Sequence, residues 1–380
     1  MERRKFLAPE FIIGSNSIEL IDRYSNNLDA KKVMIVSDEG VVKAGWVDRV
    51  ERKLKKAKIK CAVFSSVTPN PKDTEVMEGA DFYRNEKCDL IVSVGGGSPM
   101  DCAKGIGIVL SDNDNILAFE GVDKIKIPPP PLICIPTTAG TGSEVSQFSI
   151  INAVNRKVKI AIISKTIVPD VGLVDPETTQ TMPPELTAAT GMDALVHSVE
   201  AYVSNASSPI TDLHALKSIE LVAENLVKSV KTNKRMYRDN MMLASLLAGL
   251  AFSNASLGLV HSMAHSLGGY FNLAHGECNA LLLEAVIDFN FDAEPERFYK
   301  ILELLTKKKI SPKDNVKSIL IETLHNMRRE IGMDYSLSSL GLKKSDVPTL
   351  AEKAMNDPCH ATNPKTVSYK DIVSCYEKAF

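Results

Sequence analysis

The sequence predicts an α/β lobe built on a parallel sheet and joined to an all-helical lobe. Three observations in its 380 residues predict it. Short β-branched runs alternate with helical segments through the first half, which is the rhythm of β-α-β units. One of those runs ends in three consecutive glycines and leads into a helix. From about Pro184 onward the pattern is helical, with no strand run of note.

In chain order, Phe6 to Ile13 reads as an edge strand, of the kind that pairs with a second subunit. Lys32 to Ser37 is a strand and Val47 to Lys56 a helix; Ala62 to Phe64 and Asp73 to Arg84 repeat the pair. Asp89 to Val94 is a nearly continuous apolar run, as a strand buried on both faces requires, and Gly95-Gly96-Gly97 follows. Leu132 to Pro136 is another buried strand, with strand-like stretches at Val145–Ile151 and Val158–Ile163. Helices follow at 185–203, 210–228, 238–253, 260–271 and 280–290, and more run to the C-terminus. The expected domains are residues 1–180 and 181–380, with a cleft between them.

Composition narrows the functional classes. Lys and Arg number 45 against 47 Asp and Glu, so no global charge favours nucleic acid or an acidic membrane surface. No uninterrupted apolar run approaches the roughly 18 residues that span a bilayer. Seven cysteines without a CxxC pair read as reduced thiols, and the expected location is the cytoplasm.

The glycine turn, Gly95-Gly96-Gly97-Ser98-Pro99, lets backbone N–H groups approach a phosphate at a helix N-terminus, and equally suits a plain tight turn. Ser98 and Asp101 are spaced as an N-cap and its N3 partner. The GxGxxG fingerprint is absent: Gly105-Ile-Gly107 and Gly140-Thr-Gly142 lack the third glycine. After the strand ending at Pro136, four hydroxyls and two glycines occupy residues 137–143, a composition suited to phosphate or ribose. Asp38, just past a strand, suits either a helix cap or an acceptor for ribose hydroxyls.

Four of the seven histidines fall in two constellations. Asp193 and His197 are four apart in a helical run, and so are His261 and His265; each pair shares one helix face. His275 opens the next helical segment. Imidazoles with a carboxylate suit Fe²⁺, Zn²⁺, Mn²⁺ or Co²⁺.

These motifs resemble the iron-dependent (group III) alcohol dehydrogenase family over essentially the whole chain. The resemblance rests on residues 95–104, the loop 136–144, Met182-Pro-Pro-Glu-Leu, residues 189–197, 258–269, Ala274-His275-Gly276, and Asp357-Pro-Cys359-His360-Ala-Thr-Asn363-Pro364. One departure is Ser266, where many members carry proline. The resemblance implies Asp193, His197, His261 and His275 as metal ligands, with His265 left unligated beside the nicotinamide; the expected catalytic role of His265, that of a proton relay, comes from the chemistry of imidazole. It implies cofactor contacts at Asp38, Asn70, Gly96, Gly97, Ser98, Thr137, Thr138, Thr141 and Lys159. Phe148, Phe252 and Leu257 fall where the family lines its substrate pocket, and Cys359 lies near it without acting as a nucleophile. The implied chemistry is reversible hydride transfer between a small primary alcohol and NAD(P)⁺. NAD is preferred to NADP because a carboxylate at Asp38 repels a 2′-phosphate. Fe²⁺ is the implied metal, with Zn²⁺, Mn²⁺ or Co²⁺ as substitutes. The implied assembly is a homodimer or larger homo-oligomer. Glycerol dehydrogenase and dehydroquinate synthase share this two-lobe plan, and a non-catalytic metal- or nucleotide-binding regulator is the alternative from another class.

Overall fold

The computed structural model describes residues 3–311 and 314–380. They form two compact units: Leu7–Met182, and Pro183–Phe380 with the described residues that precede Leu7.

The first unit holds strands β1 (Glu10–Ile13), β2 (Lys32–Val36), β3 (Lys60–Phe64), β4 (Leu90–Gly95), β5 (Gly121–Val122), β6 (Leu132–Pro136), β7 (Phe148–Ala153), β8 (Val158–Ile163) and β9 (Val171–Val174). Its helices are α1 (Ile21–Asn27), α2 (Glu39–Lys43), α3 (Trp46–Lys56), α4 (Asp73–Glu86) and α5 (Gly97–Asp112). Six strands make a wholly parallel sheet in the order β1-β9-β6-β4-β2-β3. A smaller sheet, β5-β8-β7, carries an antiparallel β7–β8 pair.

The apolar strands are explained by cover on both faces. Val33, Ile35, Val92 and Ile133 pack with Val47, Val50 and Leu54 of α3, whereas Met34, Val36 and Ile91 pack with Val76 of α4 and Ala103 and Ile106 of α5. From β2 the chain steps outward to β3 and then returns to the other side at β4. The strand order therefore reverses between β2 and β4, a point where open sheets of this kind bind ligands at the strands' C-terminal ends.

The expected edge strand is Glu10–Ile13: β1 is the outer strand of the six-stranded sheet and pairs on one side with β9 of the same chain, a strand that the sequence pattern did not reveal. Four residues, Val-Gly-Leu-Val, carry too little periodicity, and β9 is defined by its neighbours β1 and β6. Ser98 and Asp101 do not cap α5 as a pair: the helix begins at Gly97, its N-cap is Gly96, and no side chain caps it.

Asp101 instead accepts from Ser143 Oγ at 2.7 Å and Ile150 N at 3.2 Å. One turn along α5, Lys104 is almost wholly buried, and its Nζ lies within 3.1 Å of the carbonyls of Ser143, Ser146 and Phe148 and of both serine hydroxyls. Together these two side chains pin the connection between β6 and β7 onto α5. An ammonium in such a place is tolerated because oxygen acceptors replace its water.

The second unit comprises α6 (Pro184–Val203), α7 (Pro209–Lys231), α8 (Arg235–Ala255), α9 (Leu259–Phe271), α10 (His275–Asn290), α11 (Pro295–Thr306), α12 (Val316–Glu330), α13 (Val347–Met355) and α14 (Tyr369–Lys378). Residues 259–269 of α9 are all buried, as are most of α6, so these two helices are enclosed by the others. Among the described residues no single helix is long and apolar enough to cross a membrane.

Glu144, beside the Lys104 network, supplies a test of the first unit. Burial pushes its carboxyl up to about 7, and its Oε1 is buried without a partner. Between the ordinary carboxylate range and that value the folded protein keeps a proton the unfolded chain has released, so stability falls as pH rises and the full cost applies above pH 7. Glu144→Gln is expected to be about 1–3 kcal/mol more stable than wild type at pH 8.5 and nearly equal near pH 4. Urea denaturation at both pH values checks this, and a gain that does not grow with pH contradicts it.

Candidate active site

Each unit contributes one constellation. In the helical unit, Asp193 and His197 lie one turn apart on α6, His261 is in the first turn of α9, and His275 is the first residue of α10. The Nε2 atoms of His197, His261 and His275 stand 3.8, 3.9 and 3.7 Å from Asp193 Oδ1. One ligand atom from each of the four residues lies within 4.8 Å of all the others. The rings of His197 and His261 are stacked at 4.6 Å, and Phe252 covers the first of them at 4.3 Å. Burial, reinforced by His197, pushes His261 well below the usual histidine range, so its ring is neutral and keeps a lone pair for a ligand.

Backbone approach and hydrogen bonds set this geometry. A Cβ on Gly276 would lie 2.2 Å from the carbonyl oxygen of Ala189, so only glycine lets the start of α10 sit against α6 one turn before Asp193. Asn279, one turn after His275, donates from Nδ2 to Asp193 Oδ1 at 2.7 Å. The same nitrogen lies 3.1 Å from His261 Nε2 and 3.3 Å from His275 Nε2. Glu200, on α6, accepts at 2.6 Å from His261 Nδ1, which turns the Nε2 lone pair toward the group. Its carboxylate also receives the N–H groups of Gly258 at 2.9 Å and Val260 at 2.6 Å, while Asn363 Oδ1 receives that of Leu259. These acceptors satisfy three donors at the N-terminus of α9 that no preceding turn can bond.

His265 stands outside the four-residue group. Its Nδ1 is 2.8 Å from Asp357 Oδ2, and it belongs with Asp357 and Cys359 to a second buried cluster. The Cys359 thiol is held well above its usual range by burial and then by Asp357, which makes it a poor nucleophile. Leu257, buried just before α9, receives the Thr362 hydroxyl on its carbonyl. At the departure noted above, the Ser266 hydroxyl bonds to the Leu350 carbonyl and ties α9 to α13.

In the α/β unit the glycine turn closes β4. A Cβ on Gly96 would come within 3.0 Å of Thr138, and one on Gly97 within 2.9 Å of Thr141, so the turn lies directly against the loop after β6. Thr137 N donates to the Gly95 carbonyl at 2.8 Å, and Asn70 N to Ser98 Oγ at 3.3 Å. The structure thus brings Asn70, Gly96, Gly97, Ser98, Thr137, Thr138 and Thr141 together at the C-terminal end of the sheet. Thr138 Oγ1 is buried there without a partner, as a hydroxyl awaiting a ligand would be. Asp38 does cap a helix: its Oδ1 accepts from Val41 N at 2.9 Å at the start of α2. Lys159 and Phe148 lie on the smaller sheet, both buried, and the Phe148 carbonyl is one of the acceptors of Lys104.

The sequence reading did not single out Glu200, Asn279, Lys104 or Asp357. Helical spacing carried a signal for the first two, since Glu200 is three residues beyond His197 and Asn279 four beyond His275.

A doubly wound sheet with a glycine turn, and a helical unit with a carboxylate and three imidazoles, describe a metal-dependent oxidoreductase class. Residues 8–176 match the family model for iron-containing alcohol dehydrogenase, and residues 187–380 match its C-terminal counterpart. The 1,3-propanediol dehydrogenase of Citrobacter freundii is 40% identical, over 99% of this chain and 98% of its own. The NAD-dependent methanol dehydrogenase of Bacillus methanolicus is 37% identical, over 98% of this chain and 99% of its own. The crystal structure of a 1,3-propanediol oxidoreductase superposes with a TM-score of 0.96 at 40% identity and covers all of both chains. The chain belongs to the iron-containing alcohol dehydrogenase family and is an oxidoreductase of the alcohol dehydrogenase and aldehyde reductase type.

The contact at Gly276 is directly testable. Glycine to alanine inside a helix ordinarily stabilises, by about 0.5–1 kcal/mol. Gly276→Ala is expected to do the reverse and cost about 1–3 kcal/mol, because α10 must move off α6. A thermal melt at or above that of wild type would show that the approach is not tight.

Proposed function

We propose that the protein catalyses reversible hydride transfer between a small primary alcohol and NAD⁺, with one divalent metal held by Asp193, His197, His261 and His275. The convergence of these four donors within 4.8 Å carries the reading. One carboxylate and three imidazoles fit Fe²⁺, Mn²⁺, Co²⁺ or Zn²⁺, and iron is the metal proposed for the cell. The bound metal supplies Lewis acidity that polarises the substrate oxygen.

The chain's own residues do the rest. Glu200 fixes the His261 ring through Nδ1. Buried Phe252, Leu257 and Cys359 give the helical unit's site an apolar character that disfavours water and charged substrates. His265 exchanges the hydroxyl proton through Nε2, the ring nitrogen left over when Nδ1 faces Asp357. In the other unit, the N–H groups of Gly97 and Ser98 at the start of α5 suit the cofactor pyrophosphate, with Thr137, Thr138, Thr141 and Asn70 around it and Lys159 as a further contact. Asp38 Oδ1 serves the helix cap, so Oδ2 is the atom proposed for the ribose hydroxyls. Seven free thiols support a reducing, cytoplasmic setting, and the edge position of β1 supports assembly as a homodimer or larger oligomer.

Metal analysis of three variants tests the ligand assignment. His261→Ala and His275→Ala are expected to lose bound iron, whereas His265→Ala keeps it and loses turnover. Equal metal loss in His265→Ala would mean that ligand and relay are divided wrongly. Cofactor choice is tested separately by kcat/KM with NADH and NADPH. NADH is expected to be favoured and Asp38→Gly to raise the use of NADPH; a wild-type preference for NADPH removes Asp38 from that role.

A further inference from the structure

His261 and His265 sit one turn apart on α9, and each has its Nδ1 against a buried carboxylate from a different part of the chain. Glu200 serves the first and Asp357 the second. Asp357 is itself held in place: its Oδ1 accepts from Cys359 N at 2.8 Å and Ser262 Oγ at 3.3 Å, which leaves Oδ2 for His265 Nδ1 at 2.8 Å. An ionised carboxylate only accepts, so the facing ring nitrogen must carry a hydrogen. The ring is also fixed in plane, stacked on His275 with 17° between the planes and 5.3 Å between centroids.

We propose that Asp357 is a positioning residue that holds His265 as the Nδ1–H tautomer and thereby makes Nε2 its proton-accepting atom. The inference rests on the reading of His265 as the proton relay. In alcohol oxidation the substrate O–H bond breaks, its proton forms a bond to Nε2, and the electron pair stays on oxygen. Bound NAD⁺ would take up the C–H hydride, so that the cofactor is reduced as the alcohol is oxidised. The imidazolium so formed faces the Asp357 carboxylate, and the reverse reaction returns the Nε2 proton to the oxygen.

Asp357→Asn keeps the shape and an acceptor for Cys359 N, yet can present an amide N–H to His265, which favours the opposite tautomer. ¹⁵N-histidine NMR of the zinc-loaded protein, with the His265 signal assigned by its loss in His265→Asn, reads the tautomer directly. Wild type is expected to show a protonated Nδ1 and Asp357→Asn a protonated Nε2. The variant is expected to lose about 10²–10⁴-fold in kcat, the span of general acid–base contributions, with the KM for NADH and metal content unchanged. Combining it with His265→Asn is expected to add little loss, because the two residues act as one unit.

A wild-type His265 carrying its proton on Nε2 overturns the proposal without recourse to any variant. So does a full additional loss in the double variant. If His265→Asn alone leaves turnover intact, the relay reading fails; if it loses turnover while Asp357→Asn alters neither tautomer nor rate, only the positioning role fails.

Discussion

The helical unit depends on one carboxylate. Glu200, near the end of α6, receives the Gly258 and Val260 N–H groups and the His261 imidazole. It thereby joins the helix that carries Asp193 and His197 to the helix that carries His261. Burial alone pushes Glu200 up to about 7 against the pull of those donors. A carboxylate so placed is costly unless its lone pairs are filled, and here the helix N-terminus fills them. The requirement extends to Gly258, where a Cβ would lie 2.9 Å from Glu200 Oε1 and 3.1 Å from Asn363 Oδ1. Capping of α9 and orientation of a ligand are one interaction, so neither can be altered alone.

The α/β unit solves a comparable problem with backbone. Its glycine turn is backed by Thr138 and Thr141, and the loop that bears those threonines continues into the segment fastened by Lys104. Asp101 bonds to Ser143 and Ile150 rather than pairing with Ser98 as a cap. α5 therefore begins without a side-chain cap, and its first N–H groups keep the capacity to bind an anion. A side chain bonded there would have competed with a phosphate for the same donors.

Buried polarity is thus concentrated where function is proposed. The strands are covered by aliphatic side chains on both faces, and most of the helical unit's interior is apolar. The buried imidazoles His197, His261 and His265 gather around α9 with Asp193, Glu200 and Asp357 beside them, and Lys104 and Glu144 lie buried at the connection between β6 and β7. Each unpaired polar group in such places costs on the order of 1–3 kcal/mol. The satisfied network around Glu200 and Asp357 contrasts with Thr138 Oγ1 and Asn279 Oδ1, which are buried without partners inside the two constellations.

The sequence by itself determined what local pattern and helical spacing can encode. Apolar runs gave the doubly covered strands, three glycines gave the turn, and four-residue intervals placed Asp193 with His197 and His261 with His265 on shared faces. It also carried family motifs that joined these pieces to one chemistry. Tertiary structure decided the rest, because the deciding partners are distant in the chain. β9 exists as a strand through β1 and β6, α10 reaches Asp193 through the backbone contact of Gly276 with Ala189, and Asp101 turned from a helix cap to the loop after β6. The ring orientations are the clearest case: Glu200 lies 61 residues from His261, and Asp357 lies 92 from His265. No periodicity spans such distances, and a hydrogen bond that selects a tautomer depends on packing to a fraction of an ångström.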